Sequence, residues 1–397
     1  MTWEKVKLGD CCISISDGDH QAPPKSRDGI PFITIANIDQ FNKIDFTNTM
    51  HVPKDYFDSL DSKRKPHVGD IIYSVVGSFG IPVYIKNDDM FTFQRHIAIL
   101  KCKENINSRF LYYVMKSRTF YHQADSVAIG SAQKTITLSA LRDMEVHLPE
   151  RKVQNKIASI LSAYDDLIEN NRRQIKLLEE AAERLYKEWF VKRNINSCIH
   201  GVLTGNLKLT PKKLSSIIQF SNGYAFRSKT FTTKGHYKIV TIKNVQDSYF
   251  EGSDVDYISR IPSAMPNHCI LKEGDILLSL TGNVGRVCVV VGKDYLLNQR
   301  VGKVCTAYPA FSYYFLKSNE IQTKMVQLAN GSAQQNLSTK SIEQMIVNLP
   351  NEEYICTFEG IVQPFLNQQI RLSYDNQLLQ EARDRLLPKL MSGEVEV

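Results

Sequence analysis

Apolar positions along this chain fall into two kinds of pattern, and each kind occurs twice. Ile157, Leu161, Tyr164, Ile168, Asn171, Ile175, Leu178, Ala182, Leu185 and Trp189 alternate steps of four and three. Phe358, Val362, Phe365, Gln369, Leu372, Asn376, Leu379, Arg383, Leu386 and Leu390 hold the same frame 201 positions later (358 − 157 = 201). Heptad spacing of this length predicts two long helices, each with one apolar seam. Pro364 and Pro388 should start, kink or end helix in the second stretch, because proline lacks the N–H that a helix interior needs. Val68–Val76 and Gly274–Leu280 are instead short runs of β-branched and apolar residues, each broken by a G-x-x-G turn, and predict strands ending in hairpins. Residues 109–123 and 311–329 return to helical spacing.

The two sets are copies. Gly69-Asp70-Ile71-Ile72-Tyr73-Ser74, with Gly77 and Gly80, recurs as Gly274-Asp275-Ile276-Leu277-Leu278-Ser279 with Gly282 and Gly285, an offset of 274 − 69 = 205. Gln94-Arg95 and Gln299-Arg300 keep that offset. Phe110-Leu111-Tyr112-Tyr113 and Phe311-Ser312-Tyr313-Tyr314 stand 201 apart, as do Gly130-Ser131-Ala132-Gln133 and Gly331-Ser332-Ala333-Gln334, and Leu148-Pro149 and Leu349-Pro350. A period near 200 residues is too long for a solenoid unit, so a whole domain is duplicated. The reading divides the chain into a first module at 1–150, a long helix at 151–193, a linker at 194–210, a second module at 211–350 and a second long helix at 351–397.

Charge argues that the helices pair. Residues 151–193 carry ten Lys/Arg against seven Asp/Glu and 352–397 carry four against eight, hence +3 and −4. Connectivity makes the pair antiparallel, with Asn171 and Asn376 as polar seam positions that set register. The expectation is a pseudo-twofold rod of about 60 Å with a module at each end and the C-terminus back at the first module.

Composition is that of an ordinary folded protein, 43% hydrophobic and 23% charged over 397 residues. No apolar run is long enough to span a membrane, and Met1–Asp10 is too charged for a secretory signal, so a cytoplasmic protein is expected. The eight cysteines include no C-x-x-C pair and are expected to be reduced and mostly buried. Walker, G-x-S-x-G, H-E-x-x-H and strand-bound G-x-G-x-x-G motifs are absent, as is the Asn-Pro-Pro-Tyr motif of adenine methyltransferases. Asp17, Asp19 and His20 form one compact acidic group, read as a solvated turn because Ser221, Asn222 and Gly223 stand in the corresponding stretch. No metal site is assigned. The net charge of +7 permits a nucleic-acid partner, but residues 1–150 balance eighteen basic with eighteen acidic side chains while 194–351 have seventeen against nine.

In their duplicated order the G-D-I-[IL]-x-S…G-x-x-G region, the Gly-Ser-Ala-Gln stretch and the Leu-Pro before each helix resemble the specificity subunit of type I restriction–modification enzymes. That resemblance covers essentially the whole chain. It implies an α+β fold, two pseudo-twofold-related mixed α/β target-recognition domains joined by a long antiparallel two-helix coiled coil. It further implies a non-catalytic subunit in which each domain reads one half of a split, asymmetric site on double-stranded DNA. The helices would set the gap and dock two methyltransferase subunits, with restriction/translocase subunits joining that core. S-adenosylmethionine, ATP and Mg would belong to those partners and no cofactor to this chain.

Positions identical in both modules should hold the scaffold or DNA phosphates, and polar positions that differ should read bases. The first rule selects Gln94, Arg95, Gln299 and Arg300, and Ser131 and Gln133 with their partners Ser332 and Gln334. The second selects Arg27, His96 and Lys134 in the first module and Tyr224, Arg227, Lys229, Arg286 and Gln335 in the second. Lys63, Arg64 and Lys65 form a local basic patch. The coiled-coil seam is assigned to Ile157, Leu161, Ile168, Asn171, Ile175, Leu178, Leu185, Phe365, Leu372, Asn376, Leu379 and Leu386. Two competing readings remain at this point: a protein scaffold without DNA, suggested by the neutral first module, and a nuclease built on Asp17, Asp19 and His20.

Overall fold

The computed structural model describes residues 3–39, 41–131, 133–193, 207–329 and 336–397. The chain divides into two compact units, one formed by Met1–Leu167 with Leu379–Val397 and the other by Ile168–Leu378. Both long helices are therefore shared out between the units.

In the first unit the central element is a four-stranded antiparallel sheet in the order Cys12–Asp17, Ile97–Cys102, Ile71–Ser74, Pro82–Tyr84. Its middle strands are apolar at 71–73 and 97–100 because both faces are covered there. Ile71, Tyr73, Ala98 and Leu100 point into a core with Phe110, Tyr113 and Phe120 from the helices, whereas Ile72, Ile97 and Ile99 point into a second core with Ile33, Phe91 and Phe93. The latter side carries a three-stranded sheet, Met50–Val52, Ile30–Ile33 and Thr92–Phe93, whose last pair is parallel. Glu4–Lys7 pairs with Glu145–Leu148 just before the first long helix.

The second unit repeats this plan. Ile218–Asn222, Val301–Thr306, Ile276–Ser279 and Val287–Val289 form the four-stranded sheet. Asp256–Ile258, Tyr237–Val240 and Tyr295–Leu297 form the three-stranded one, and Leu209–Lys213 pairs with Ile346–Pro350. Each predicted helical stretch beside the sheet is two helices rather than one: Ser108–Lys116 and Arg118–Val127, then Pro309–Lys317 and Asn319–Leu328. Ser117 and Ser318 are the reason, since both take extended backbone, and the Ser117 hydroxyl caps the next helix by accepting from the Phe120 N–H.

The long helices run Arg151–Tyr186, followed by a π-helical turn Lys187–Val191, and Glu352–Ser392. Pro364 and Pro388 do not interrupt the second. Pro364 leaves the Gly360 carbonyl without its helical donor, but Gly360 and Pro364 are both exposed, so water can satisfy it; Pro388 and Asp384 repeat the arrangement. Within each unit the helices pair antiparallel. In the first, Asp165 meets Arg383, and Ile157 and Leu161 share a core with Leu387 and Leu390. In the second, the Asn171 side-chain N–H donates to the Asn376 carbonyl oxygen at 3.0 Å, and Tyr186 and Trp189 stack edge-on against Phe358.

The seam residues divide by depth. Ile157, Leu161, Ile168, Leu372 and Asn376 are buried, whereas Asn171, Ile175, Leu178 and Leu185 are half-buried. Phe365, Leu379 and Leu386 are also only half-buried, and the deep positions beside them belong to Leu366 and Leu387. The second helix must serve a domain core as well as its partner helix, which widens its apolar face beyond a strict two-in-seven seam.

Candidate nucleic-acid interface

One end of each four-stranded sheet gathers several of the polar candidates, among them Arg95, His96, Gln133 and Lys134 in the first unit and Arg300 in the second. There the strand Ile71–Ser74 turns into Pro82–Tyr84 through Gly77 and Gly80, both with positive φ (73° and 86°) that a side chain would strain. The Gly80 N–H donates to the Ser74 carbonyl and the Ile81 N–H to Ser74 Oγ. Ser279, Gly285 and Arg286 reproduce both bonds in the second unit. These G-x-x-G segments are thus hairpin turns that fix neighbours, not phosphate cradles.

Beside the hairpin lies a turn that also binds the preceding loop. Gly18 passes so close to it that a Cβ would stand 1.9 Å from the Phe93 carbonyl, and at Gly223 it would stand 2.2 Å from that of Asn298. Here the structure corrects the sequence alignment. The Val75 N–H donates to the His96 carbonyl as the Leu280 N–H does to that of Arg300. The Arg95 N–H donates to Asp19 as the Gln299 N–H does to Tyr224. Hence Gln94 corresponds to Asn298, Arg95 to Gln299 and His96 to Arg300, at an offset of 204. The repeated Gln-Arg pair is a coincidence of adjacent residues, produced by one residue fewer between hairpin and turn in the second unit. Arg95 and Arg300 are exposed and His96 half-buried. Burial, and after it the neighbouring Arg95, holds the His96 imidazole below its usual range.

A third segment returns past the hairpin. Val76 bridges Thr135, the Gly77 N–H donates to the Lys134 carbonyl, and Gln133 Nε2 lies 3.3 Å from where a Gly77 Cβ would be. Lys134 is engaged, paired with Asp125 and 5.9 Å from the Phe79 ring centroid. Thr281 and Asn336 make the matching bridge in the second unit. Ser332, Gln334 and Gln335 lie outside the described residues.

The remaining candidates scatter. Lys63, Arg64 and Lys65 do not act as one patch: Lys63 is exposed, Arg64 turns to Asp19 at 3.4 Å, and Lys65 donates to the Asp58 carbonyl at 2.7 Å. Arg27 and Arg227 are exposed on loops and Lys229 is exposed on the 3-10 turn Ser228–Thr230. Tyr224 packs edge-on against Phe226, and Arg286 donates to Gln246 Oε1 at 2.6 Å. Asp17 pairs with His20 at 2.8 Å while Asp19 accepts from the Tyr56 hydroxyl at 2.6 Å, so the acidic group points its carboxylates to separate partners. Among the described residues no cluster of three or more His, Cys, Asp or Glu side chains is arranged to hold a metal, and no helix is long and apolar enough to cross a membrane. Of the described cysteines Cys11, Cys12, Cys269 and Cys288 are buried, Cys102 and Cys305 half-buried and Cys356 exposed; none is in a disulfide, and Cys198 lies outside the described residues.

A family model, the type I restriction modification DNA specificity domain, matches residues 1–180 and again 206–370. The chain belongs to the family of type I restriction–modification specificity subunits. The MjaIX specificity subunit of Methanocaldococcus jannaschii is 26% identical over 308 residues, covering 74% of this chain and 71% of that one. The HindI specificity subunit of Haemophilus influenzae is 22% identical over 468 aligned positions and 99% of both chains. In fold, the type I S subunit from M. genitalium superposes with a TM-score of 0.62 at 16% identity, over 98% of this chain and 96% of that one. A specificity subunit of this kind supplies DNA target recognition to a restriction–modification complex, and the repeated match falls on the two units just described.

Proposed function

We propose that each unit of this specificity subunit reads one half of a bipartite, asymmetric double-stranded DNA target, and that the paired helices set the gap and dock two methyltransferase subunits. The observation that carries this reading is the repeated sheet end: the same hairpin and turn recur in both units, each hairpin bridged from a later segment at Thr135 and at Asn336, but with different polar side chains. A common frame suits the common task of approaching a DNA groove, and different side chains suit two unlike half-sites. The one-residue correction strengthens the point, because Arg95 opposite Gln299 and His96 opposite Arg300 are differences rather than identities. All four become candidate base readers, with Arg27, Lys63, Arg227 and Lys229 as exposed cations for the phosphates. Chemistry on the DNA would belong to partner subunits in the cytoplasm carrying S-adenosylmethionine, ATP and Mg, including restriction/translocase subunits.

Exchanging residues 1–150 for those of another specificity subunit tests this directly. In a methylation map of cells carrying the chimera, one half of the modified sequence should change and the other persist. A change in both halves, or in neither, would refute it. A DNA-free scaffold would instead show no steep fall of DNA affinity with salt in the assembled complex.

A further inference from the structure

A shielded carboxylate sits beneath one arginine of the N-terminal unit. Asp19 follows the strand Cys12–Asp17, and its side chain is only 11% exposed. One oxygen accepts from the Tyr56 hydroxyl at 2.6 Å and the other lies 3.4 Å from Arg64 Nη1. Three segments are tied together in this way: the loop after the strand, the helix Lys54–Ser59 and the 3-10 turn Ser62–Arg64. The turn is itself fixed, since the Asp61 carboxylate accepts from the Lys63 N–H and the Lys63 carbonyl accepts from the Ser16 hydroxyl. The Asp19 carbonyl accepts from the Arg95 N–H, which joins the assembly to the interface turn.

The consequence lies in what is left over. Arg64 is 35% exposed and spends one nitrogen on Asp19, so the rest of its planar fork remains open to a ligand. An unheld arginine loses rotamer freedom on docking; a clamped one has lost it already. Its fork matches the adjacent O6 and N7 acceptors of guanine in the major groove. A unit with no net positive charge gains little from general attraction to DNA, which makes an oriented donor more valuable to it. The second unit lacks the device. Tyr224 stands where the first has Asp19, and the matching 3-10 turn Asn267–Cys269 ends in a fully buried cysteine.

We propose that Arg64 reads a guanine in the half-site of the N-terminal unit, with Asp19, backed by Tyr56, as its positioning residue. The proposal rests on half-site reading by the units, so its test must separate the two. The full chain, assembled with its methyltransferase subunits, is selected on a randomised DNA library, and base preference is scored at each position. Arg64→Lys keeps the charge but removes the fork; it should lower guanine preference roughly 10- to 100-fold at one position of one half and leave the other half intact. Asp19→Asn should lower preference at that same position, by less, and add nothing to Arg64→Lys in the double variant. Tyr56→Phe removes only a hydroxyl and serves if Asp19→Asn unfolds. An unchanged guanine preference, or a uniform loss of affinity at every position, overturns the assignment of Arg64 while leaving half-site reading in place. A wild-type complex that selects no two-part target overturns half-site reading itself.

Discussion

The two units solve the same packing problem with corresponding apolar positions but satisfy corresponding polar groups with different partners. Tyr113 and Lys116 of the first unit correspond to Tyr314 and Lys317 of the second, 201 positions on. In the first unit the Tyr113 hydroxyl donates to Asp165 at 2.7 Å, and Arg383 reaches the same carboxylate from the other long helix at 2.6 Å. In the second, Gln369 donates to the Tyr314 hydroxyl and Lys317 turns to Glu179 and Glu183 at 2.7 and 3.2 Å. Helix capping diverges likewise. Asn107 caps Ser108–Lys116 from its own segment by accepting from the Phe110 N–H, whereas Pro309–Lys317 receives the Glu359 carboxylate from the long helix, accepting from the Ala310 and Phe311 N–H groups. Duplicated folds keep what shape complementarity demands; polar partners can be exchanged whenever another side chain reaches the same group.

The largest difference should appear on cutting the core beneath the long helices. Phe358 is fully buried and contacts Tyr186, Trp189, Phe190, Phe311 and Tyr314 edge-on. Ile157, at the same frame position in the first unit, is equally buried but has no such ring cluster. Phe358→Ala should cost about 4 kcal/mol and Ile157→Ala about 3 kcal/mol. Hydrogen exchange should place each loss in its own unit, and equal spread over both would erase the distinction.

Next come the buried charges. Arg383→Met leaves Asp165 with Lys116 at 3.8 Å and Tyr113, and should destabilise the first unit by about 3 kcal/mol in urea unfolding. The ion pairs also predict opposite pH limits. Burial alone would raise the Asp165 carboxyl, but Lys116 and Arg383 outweigh it and hold it below its usual range. Its contribution is therefore present above the unfolded carboxyl range and is lost as pH falls through the lower, folded value. Lys317 is the reverse: burial would lower it, Glu179 and Glu183 prevail, and it is raised. Its contribution is complete below the unfolded lysine range and is lost as pH rises beyond it. Asp165→Asn should flatten the first unit's acid limb below about pH 4, and Lys317→Met the second unit's alkaline limb above about pH 10. Acid and alkaline limbs unaffected by these changes would show that the pairs contribute nothing to folding.

This contrast explains how far the sequence could be read. Strand and hairpin segments were legible because Gly-Asp, the apolar run and G-x-x-G each answer a local backbone demand, and the helices because one heptad frame persists for several turns. Relations spanning the chain were not. Nothing local links Asp19 to Tyr56 and Arg64, or Glu359 to the N–H groups of Ala310 and Phe311. The Gln-Arg repeat misled because two identical residues outweighed a one-residue deletion that only the hydrogen bonds of the turn expose. Even there Gly18 and Gly223 carried a usable signal, since both stand where a backbone leaves no room for Cβ.

The smallest effect concerns the place where the two helices meet through a pair of asparagines. Asn376 is buried and Asn171 half-buried, and each amide supplies the other's partner. Asn171→Leu alone would strand the Asn376 amide away from water and should cost about 1–2 kcal/mol. Replacing both with Leu removes the orphan and joins the apolar seam, so stability should return to the wild-type value or exceed it by up to about 1 kcal/mol. Specificity should move the other way. Leucine packs acceptably in neighbouring registers, whereas an amide pair is satisfied in one, so the double variant should tolerate DNA targets with gaps one base pair longer or shorter. Thermal unfolding and selection on a gap-length library measure the two quantities separately. A double variant that is more stable yet as strict about gap length as the wild type would show that register is held elsewhere, with the Asp165–Arg383 pair the next site to test.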